Sequence, residues 1–144
     1  MKVFANYGVK FPHEKLDAKR LVKMNADLQN CVILVDEIHI LFDSRDSFTK
    51  RNKMGSYFVL QTRKRNVVFF GTTQTYKQCE KRIRENADFI VRCERLKKKG
   101  VKTDWFRYRV YDGLSGAFVK KFQLQGSKYY GLYDTTEAIT DFDL

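Results

Sequence analysis

The segment CVILVDEIHILFDSR, residues 31–45, decides the fold because an apolar run of strand length leads directly into two adjacent carboxylates. A continuous apolar run is typical of a strand that is covered on both faces, as in a parallel sheet. Buried strands rarely end in a pair of like charges. One carboxylate is enough to cap a following helix, so Asp36 and Glu37 side by side indicate a charged ligand, most simply a metal ion and its phosphates.

Length and composition predict one domain of 144 residues, with an apolar fraction of 43% that is ample for a core. No apolar run approaches the roughly 20 residues that a membrane-spanning helix needs, and the first residues lack the apolar stretch of a signal peptide. The three cysteines are isolated, which argues against a zinc site. We therefore expect Cys31, Cys79 and Cys93 to be buried reduced thiols in a reducing compartment.

The net charge of +11, from 28 basic and 17 acidic residues, favours a polyanionic partner. No acid occurs between Ser47 and Cys79, and a second basic concentration lies in residues 81–100. A solvated basic surface explains any one of these cations, whereas the whole pattern favours contact with nucleic acid phosphates. The candidate contacts are Lys50, Arg51, Lys53, Lys97, Lys98 and Lys99.

Strand and helix patterns alternate over residues 1–100, which predicts an α/β fold with a parallel sheet and right-handed helical crossovers. Residues 47–66 contain SYFVL, which locally resembles a strand, but their place between two apolar strands favours a helical crossover. The expected strands are residues 2–11, 31–37, 67–74 and 88–96, and the other expected helices are residues 12–30, beginning at Pro12, and 76–87.

After Gly100 polar and apolar residues alternate around the turn sequence YDGLSG, which predicts a β-hairpin with one solvated face. An aromatic-rich tail follows, and we expect it to pack back onto the domain. The predicted organisation is a single domain over residues 1–144, with an α/β core at 1–100 and a hairpin and tail at 101–144.

Polar residues follow two of the predicted core strands, and ligands of parallel sheets bind beyond the carboxyl ends of the strands. Asp36 and Glu37 follow one strand, and a TTQ sequence ending at Gln74 closes the next, so these groups are expected to meet. Paired carboxylates alone would suit proton transfer, as in glycosidases. A glutamine on the next strand and a cluster of arginines fit phosphoryl transfer better, with an arginine such as Arg63 neutralising charge in the transition state.

These residues also resemble a known family. CVILVDE is similar to a Walker B motif followed by a catalytic glutamate, and TRKRNVVFFGTTQ resembles the arginine segment and glutamine-ending strand of FtsK/HerA-type P-loop (ASCE) ATPases. FANYGVKFP, VDEIHILFDSR, LQTRKRN, TTQ and KRIRENADFIV occur here in the order found in viral genome-packaging ATPases and zonula-occludens-toxin-like proteins. The resemblance implies a RecA-like P-loop NTPase sheet.

One motif of that family is missing from the sequence. The Walker A loop, GxxxxGK[ST], should precede FANYGVKFP, and none of the eight glycines forms such a loop. We therefore expect a sheet truncated at its N-terminus, belonging to a split gene, a fragment or a degenerate relative. The initial Met1 favours a separate reading frame, with Walker A on an upstream chain. Alone, the chain should bind ATP poorly, because that loop supplies contacts to the phosphates.

The resemblance implies ATP and Mg²⁺ as cofactors and assigns a role to each site residue. Asp36 resembles the Mg²⁺-associated acid and Glu37 the water-activating base. Gln74 matches the position that senses the γ-phosphate, and Thr73 finishes its strand near the phosphates. Arg63 resembles the finger that reaches a neighbouring subunit's nucleotide in a homo-oligomeric ring. The alternatives for that finger are Arg65 and Arg45.

The function expected from this resemblance is ATP-driven translocation of double-stranded DNA, for genome packaging or extrusion, in the cytoplasm of the infected host cell. The competing hypothesis is a non-hydrolysing basic module that docks on nucleic acid or on an ATPase partner. A metal-dependent nuclease is a third class, but it needs a further acid or lysine at a fixed spacing from Asp36, and the sequence offers none that is convincing.

Overall fold

The computed structural model describes residues 1–23, 25–41, 50–79, 81–134 and 136. Within these ranges the chain forms a four-stranded parallel sheet followed by a three-stranded antiparallel sheet. The predicted mixture of a parallel α/β sheet and a C-terminal β-hairpin is confirmed at this level. No helix in the described ranges is long and apolar enough to cross a bilayer.

The elements of the first part of the chain are β1 Lys2–Ala5, β2 Glu14–Lys15, α1 Ala18–Val22, β3 Cys31–Val35, α2 Ile38–Leu41, α3 Lys50–Lys64, β4 Val67–Gly71 and α4 Lys81–Glu85. The parallel sheet has the strand order β2-β1-β3-β4. Strand β3 pairs with β1 on one side and with β4 on the other. Helices lie between β2, β3 and β4 along the chain, as crossover connections of a parallel sheet require, whereas β1 and β2 follow one another without a helix between them.

Helix α3 is the crossover that the sequence left ambiguous, and the helical interpretation is confirmed. Phe58 on this helix is only 1% exposed, and its ring meets Phe69 of β4 edge-on at 5.0 Å between centroids. Burial of one such side chain stabilises the fold by about 1.5–3 kcal/mol. The same core contains Phe4, Leu16, Leu21, Leu28, Cys31, Ile33, Val35 and Ile38.

The helix predicted from Pro12 to residue 30 is wrong in its first part. Residues Glu14–Lys15 form β2 beside β1, and the helix α1 is confined to Ala18–Val22. Asp17 sets its start, because the Asp17 carboxylate accepts a hydrogen bond from the Arg20 backbone N–H at 2.6 Å. An aspartate in this N-cap position stabilises a helix start through that bond.

Residues 88–96 were expected to form a strand of the parallel sheet, and this placement is wrong. Their strand, β5, pairs in antiparallel fashion with β6, which in turn pairs with β7. Lys99 and Gly100 have φ angles of 49° and 78°, as the two-residue turns of tight hairpins require. The antiparallel sheet therefore begins at Phe89, and the parallel sheet ends with β4. The three strands are β5 Phe89–Lys98, β6 Val101–Asp112 and β7 Phe118–Gln125.

Two smaller expectations also change with this hairpin. The sequence places the candidate nucleic acid contacts Lys97, Lys98 and Lys99 in a loop after the strand, but Lys97 and Lys98 lie in β5 and only Lys99 lies in a turn. Cys93 on β5 is exposed, contrary to the expectation of three buried thiols, whereas Cys31 and Cys79 are buried as expected. The grouping of the whole chain into one domain stays a prediction.

The segment after β7 packs back onto the loop that follows β1, as expected for the tail. Val9 forms an isolated antiparallel bridge with Tyr133, and the Lys10 backbone N–H donates to the Leu132 carbonyl at 2.8 Å. The rings of Tyr7 and Tyr133 meet edge-on at 6.3 Å. Residues 137–144 lie outside the described part of the structure.

Strand β4 is the outermost strand of the parallel sheet, although its sequence VVFFG is typical of an interior strand. Its side chains alternate, so Phe69 faces α3 while Val68 and Phe70 are 43% and 58% exposed. No strand in the described ranges pairs with its outer edge. An open apolar edge is a ready template for another strand.

Candidate functional site

The carboxyl ends of β3 and β4 lie side by side, so the polar residues after both strands meet as predicted. Val35 and Gly71 are register partners at the last pair of the two strands. The pairing continues past the strands, because the Thr72 N–H donates to the Val35 carbonyl and the Ile38 N–H donates to the Thr72 carbonyl, both at 2.9 Å. The loops after the two strands are therefore held in a fixed register.

Asp36 is held by residues that follow the neighbouring strands. The Asp36 N–H donates to Asn6 Oδ1 at 2.8 Å, and Asn6 Nδ2 donates to the Asp36 carbonyl at 3.2 Å. The Thr72 hydroxyl donates to the carboxylate of Asp36. Burial raises the pKa of Tyr7, and the negative charge of Asp36 raises it further. Asp36 thus stands at a position fixed by the ends of β1 and β4.

Glu37 combines backbone strain with an unsatisfied polar atom. Its φ of 53° lies in the left-handed region, which costs a non-glycine residue on the order of 1–2 kcal/mol. Its Oε1 accepts a hydrogen bond from Gln74 Nε2 at 3.1 Å. Its Oε2 is buried and has no hydrogen-bond partner within the described residues. Strain and an orphaned oxygen at the same residue are typical of a functional position.

His39 and Thr73 line the far side of Glu37. His39 Nδ1 lies 3.2 Å from Glu37 Oε2, without the alignment of a hydrogen bond, and 2.9 Å from the Thr73 hydroxyl. The Thr73 hydroxyl also accepts the Thr75 N–H at 3.1 Å. These contacts, together with the hydrogen bond from Gln74, set the position of the glutamate next to Asp36.

Arg63 does not join this cluster. It lies near the end of α3, just before β4, and forms an exposed ion pair with Asp88 at 3.1 Å. The strand β4 separates it from Gln74 by about 16 Å of extended chain. Arg63 therefore cannot serve the site of its own chain, and its service to a neighbouring subunit stays a prediction. Among the predicted nucleic acid contacts, the side chains of Lys50, Arg51 and Lys53 lie outside the described part of the structure.

The cluster fits a magnesium ion that is bound together with phosphates. Mg²⁺ is usually held by one or two carboxylates, substrate phosphates and water, so a cage of several protein ligands is not required. Accordingly, the described residues contain no group of three or more acidic, histidine or cysteine side chains that would form such a cage. Asp36 and the Thr72 hydroxyl are the oxygen donors best placed for the ion. The other carboxylate oxygen of the pair, Glu37 Oε2, is buried beside His39 Nδ1 at 3.2 Å and lies behind these donors.

A profile of the zonular occludens toxin (Zot) family matches residues 8–138 of the chain. The chain belongs to the Zot family. Among curated protein sequences none matches it significantly. The Zot match covers β3, β4 and the whole antiparallel sheet, so both the cluster and the second sheet belong to the matched region.

Two solved proteins share the fold of this Zot family member. The N-terminal domain of zonular occludens toxin from Neisseria meningitidis is 18% identical with a TM-score of 0.67, over 92% of this chain and 80% of that domain. The genome-packaging NTPase B204 from Sulfolobus turreted icosahedral virus 2, solved with ATPγS, is 12% identical with a TM-score of 0.53, over 84% of this chain and 81% of that one. The same NTPase has also been solved with AMP. The chain therefore shares its fold with both of these proteins.

Sequence reasoning missed Asn6 and left His39 without a role. Asn6 follows β1 just as Asp36 follows β3, so the rule that polar residues gather after parallel strands would have included it. His39 is two residues past Glu37, and only the structure shows that it stands between Glu37 and Thr73.

Proposed function

We propose that the chain forms the hydrolytic part of an FtsK/HerA-type ATPase that moves double-stranded viral DNA in the cytoplasm of the infected host cell. The observation that carries the proposal is the cluster of Asp36, Glu37 and Gln74 at the carboxyl edge of a parallel sheet. Membership of the Zot family and a shared fold with a genome-packaging NTPase that binds ATPγS and AMP support it.

In this proposal each residue of the cluster has a distinct task. Asp36 and the Thr72 hydroxyl would hold Mg²⁺, and the ion would supply positive charge near the phosphates of ATP. The Glu37 carboxylate polarises the attacking water and accepts its proton. Gln74 donates to the terminal phosphate, and because it already donates to Glu37 Oε1 at 3.1 Å, it couples the phosphate to the base. Asn6 fixes the backbone of Asp36.

The phosphate-binding loop is proposed to come from a strand that pairs with the outer edge of β4. No strand of the described residues pairs with that edge, and an additional strand and helix there would cover the exposed Val68 and Phe70 on the face of β4. It is also the edge next to Gln74, so a loop at the end of such a strand would face the cluster. The genomic sequence upstream of Met1 tests this directly: a GxxxxGK[ST] motif in the same or an overlapping frame supports the proposal.

Arg63 is proposed to act in a neighbouring subunit of a homo-oligomeric ring, because β4 keeps it from its own site. Mixing two inactive variants tests the assignment. An Arg63→Ala subunit keeps its own Glu37, and a Glu37→Gln subunit keeps its own Arg63, so a mixed ring regains activity at the interfaces where both are intact. Mixtures that stay as inactive as either variant alone would exclude an action of Arg63 across subunits.

ATP hydrolysis by the protein, together with the segment that carries the phosphate loop, tests the catalytic assignment. Glu37→Gln should lower kcat by about a hundredfold or more while nucleotide binding is kept, because it removes the base but not the contacts to phosphate. Glu85→Gln on α4 is the matched control, since Glu85 is exposed and pairs with Lys81 at the surface. Equal activity in the wild type and the Glu37→Gln variant would contradict the proposal.

The alternative is a basic module that docks on nucleic acid or on an ATPase partner and hydrolyses nothing. The observation that favours it is the net charge of +11, from 28 basic and 17 acidic residues. It predicts that no strand-and-loop segment restores hydrolysis and that Asp36→Asn leaves nucleotide binding unchanged. The motor proposal predicts the opposite in both measurements.

A further inference from the structure

One face of the antiparallel sheet carries a row of cations that runs across all three strands. Arg92 of β5 is the register partner of Arg109 of β6, and Arg109 is the register partner of Lys121 of β7. Side chains of directly opposed residues point to the same face, and like charges in that arrangement destabilise a sheet. Arg107, two residues from Arg109, extends the same face. We call these four residues the cationic face.

The negative charge on this face is too small to balance it. Glu94 is the register partner of Arg107 and bridges Arg107 at 3.2 Å and Arg109 at 2.6 Å. Arg92 lies over the ring of Tyr111 at 5.3 Å, and neither Arg92 nor Lys121 has a carboxylate partner among the described residues. Four cations against one carboxylate leave three uncompensated charges on one side of a thin sheet. Such a surface attracts a polyanion.

Aromatic side chains stand at both ends of the cationic face. Trp105 shares its side of β6 with Arg107 and is 44% exposed. At the other end Phe118 is 56% exposed and its ring contacts Tyr111 edge-on at 6.0 Å. The positions of Trp105 and Tyr111 are about 20 Å apart along β6 at the usual rise of a strand. Exposed rings at the two ends of a positive face match the way proteins hold unpaired bases and their phosphates.

We propose that the cationic face, with Trp105 and Phe118, binds single-stranded nucleic acid without sequence preference. The arginines and the lysine take successive backbone phosphates, and the two exposed rings stack on bases. A duplex hides its bases within the stack, so it would use the cations and leave the rings without a role. The same holds for an anionic lipid surface, whose headgroups offer charge and no bases. The cationic face lies on the antiparallel sheet and the proposed nucleotide site on the parallel sheet, so this binding is expected to need no ATP.

Binding is measured with a short fluorescein-labelled oligothymidylate and with a labelled duplex of the same length, at low salt and without nucleotide. The double variant R92Q/K121Q should weaken oligothymidylate binding by about tenfold and reduce the slope of log K against log salt by about 1.4. The matched control is K102Q/K120Q, which removes the same charge from the opposite face of β6 and β7. It should leave both quantities close to those of the wild type.

The aromatic contacts have a separate readout. Trp105 is the single tryptophan of the chain, so its fluorescence should be quenched when oligothymidylate binds. Trp105→Leu should weaken oligothymidylate binding by about fivefold and leave duplex binding unchanged. Urea unfolding of R92Q/K121Q should show a protein at least as stable as the wild type, since the variant relieves like-charge repulsion. That result would show that the variant binds more weakly because contacts to the oligothymidylate are lost, and not because the protein unfolds.

Three results would overturn the proposal. Equal weakening by R92Q/K121Q and K102Q/K120Q would show a general charge effect. Tighter binding of the duplex, with no effect of Trp105→Leu on oligothymidylate, would show a surface for phosphates only. Binding to phosphatidylglycerol vesicles that depends on Arg92 and Lys121, in a protein that does not bind oligothymidylate, would assign the face to a membrane.

Discussion

Glu37 allows a direct test of the idea that its position is strained for function. With φ at 53°, any L residue there bears a cost that glycine avoids. We compare Glu37→Gly with Glu37→Ala, since both remove the same carboxylate and its bond to Gln74. The left-handed conformation destabilises the alanine variant by about 1–2 kcal/mol. The greater entropy of the unfolded chain destabilises the glycine variant by roughly 0.4–1 kcal/mol, which offsets part of that difference. The glycine variant should therefore be more stable by about 1 kcal/mol.

The assay is equilibrium unfolding in urea, where that difference moves the midpoint by about 0.5 M at a typical slope of 2 kcal/mol per molar. Leu60 provides the matched control, because it is 63% exposed in the middle of α3. In a helix alanine is preferred to glycine by about 1 kcal/mol, so Leu60→Ala should be the more stable of its pair. An alanine variant at Glu37 as stable as the glycine variant would refute the assignment of backbone strain.

Three further predictions concern other parts of the molecule. Asn6→Ala should lower the free energy of unfolding by about 1–3 kcal/mol, measured in urea, because it leaves both backbone groups of Asp36 without partners. The hydrogen bond from Arg20 holds the pKa of Asp27 below its ordinary value of 3.8. The interaction therefore stabilises the fold fully above pH 3.8, and this contribution is lost as the pH falls below that value. In acid unfolding curves Arg20→Gln should reduce the part of the stability loss that comes from protonation of Asp27. Ellman's reagent should label the exposed Cys93 rapidly and Cys31 only on unfolding, since burial raises the pKa of the Cys31 thiol.

Each of these has a result that would contradict it. An Asn6→Ala protein with wild-type stability would mean that water replaces the amide without loss. Equal acid sensitivity with and without Arg20 would remove the interaction from the stability of the fold. Simultaneous labelling of Cys31 and Cys93 in the native protein would show that the parallel sheet opens around β3.

The parallel part of the fold was predictable because its signals are local and simple. The apolar runs of β3 and β4 have strand length, and polar residues follow both, so their meeting at one edge follows from parallel pairing alone. The segment of α3 needed a second argument, since SYFVL has a strand-like composition. Two parallel neighbours cannot be joined by a hairpin, and this tertiary requirement overrides the local preference.

The second sheet was misassigned at β5 for a physical reason. Its first residues, FIV, have the composition of a buried strand. The prediction gave them more weight than the charged residues that follow. Arg92 and Glu94 alternate with Cys93 and Arg95, a pattern that a strand covered on both faces excludes. The turn at Lys99 also lacks the usual Asn-Gly signature, although Gly100 supplies half of it. The exposure of Cys93 follows from the same misassignment.

Within the site, the residue types were predictable and the supporting contacts were not. Asp36, Glu37 and Gln74 could be predicted as site residues because they follow apolar strands. The two hydrogen bonds between the Asn6 side chain and the Asp36 backbone depend on the order of strands in the sheet, which no local sequence pattern encodes. The left-handed backbone of Glu37 is likewise set by the loop between β3 and α2.

The most direct test of the central claim is a crystal structure of the protein, together with the segment that carries the phosphate loop, bound to ATPγS and Mg²⁺. We expect a new strand on the outer edge of β4, the ion beside Asp36, and the terminal phosphate within hydrogen-bonding reach of Gln74. A nucleotide bound elsewhere, with the side chains of Asp36, Glu37 and Gln74 unchanged and out of its reach, would contradict it.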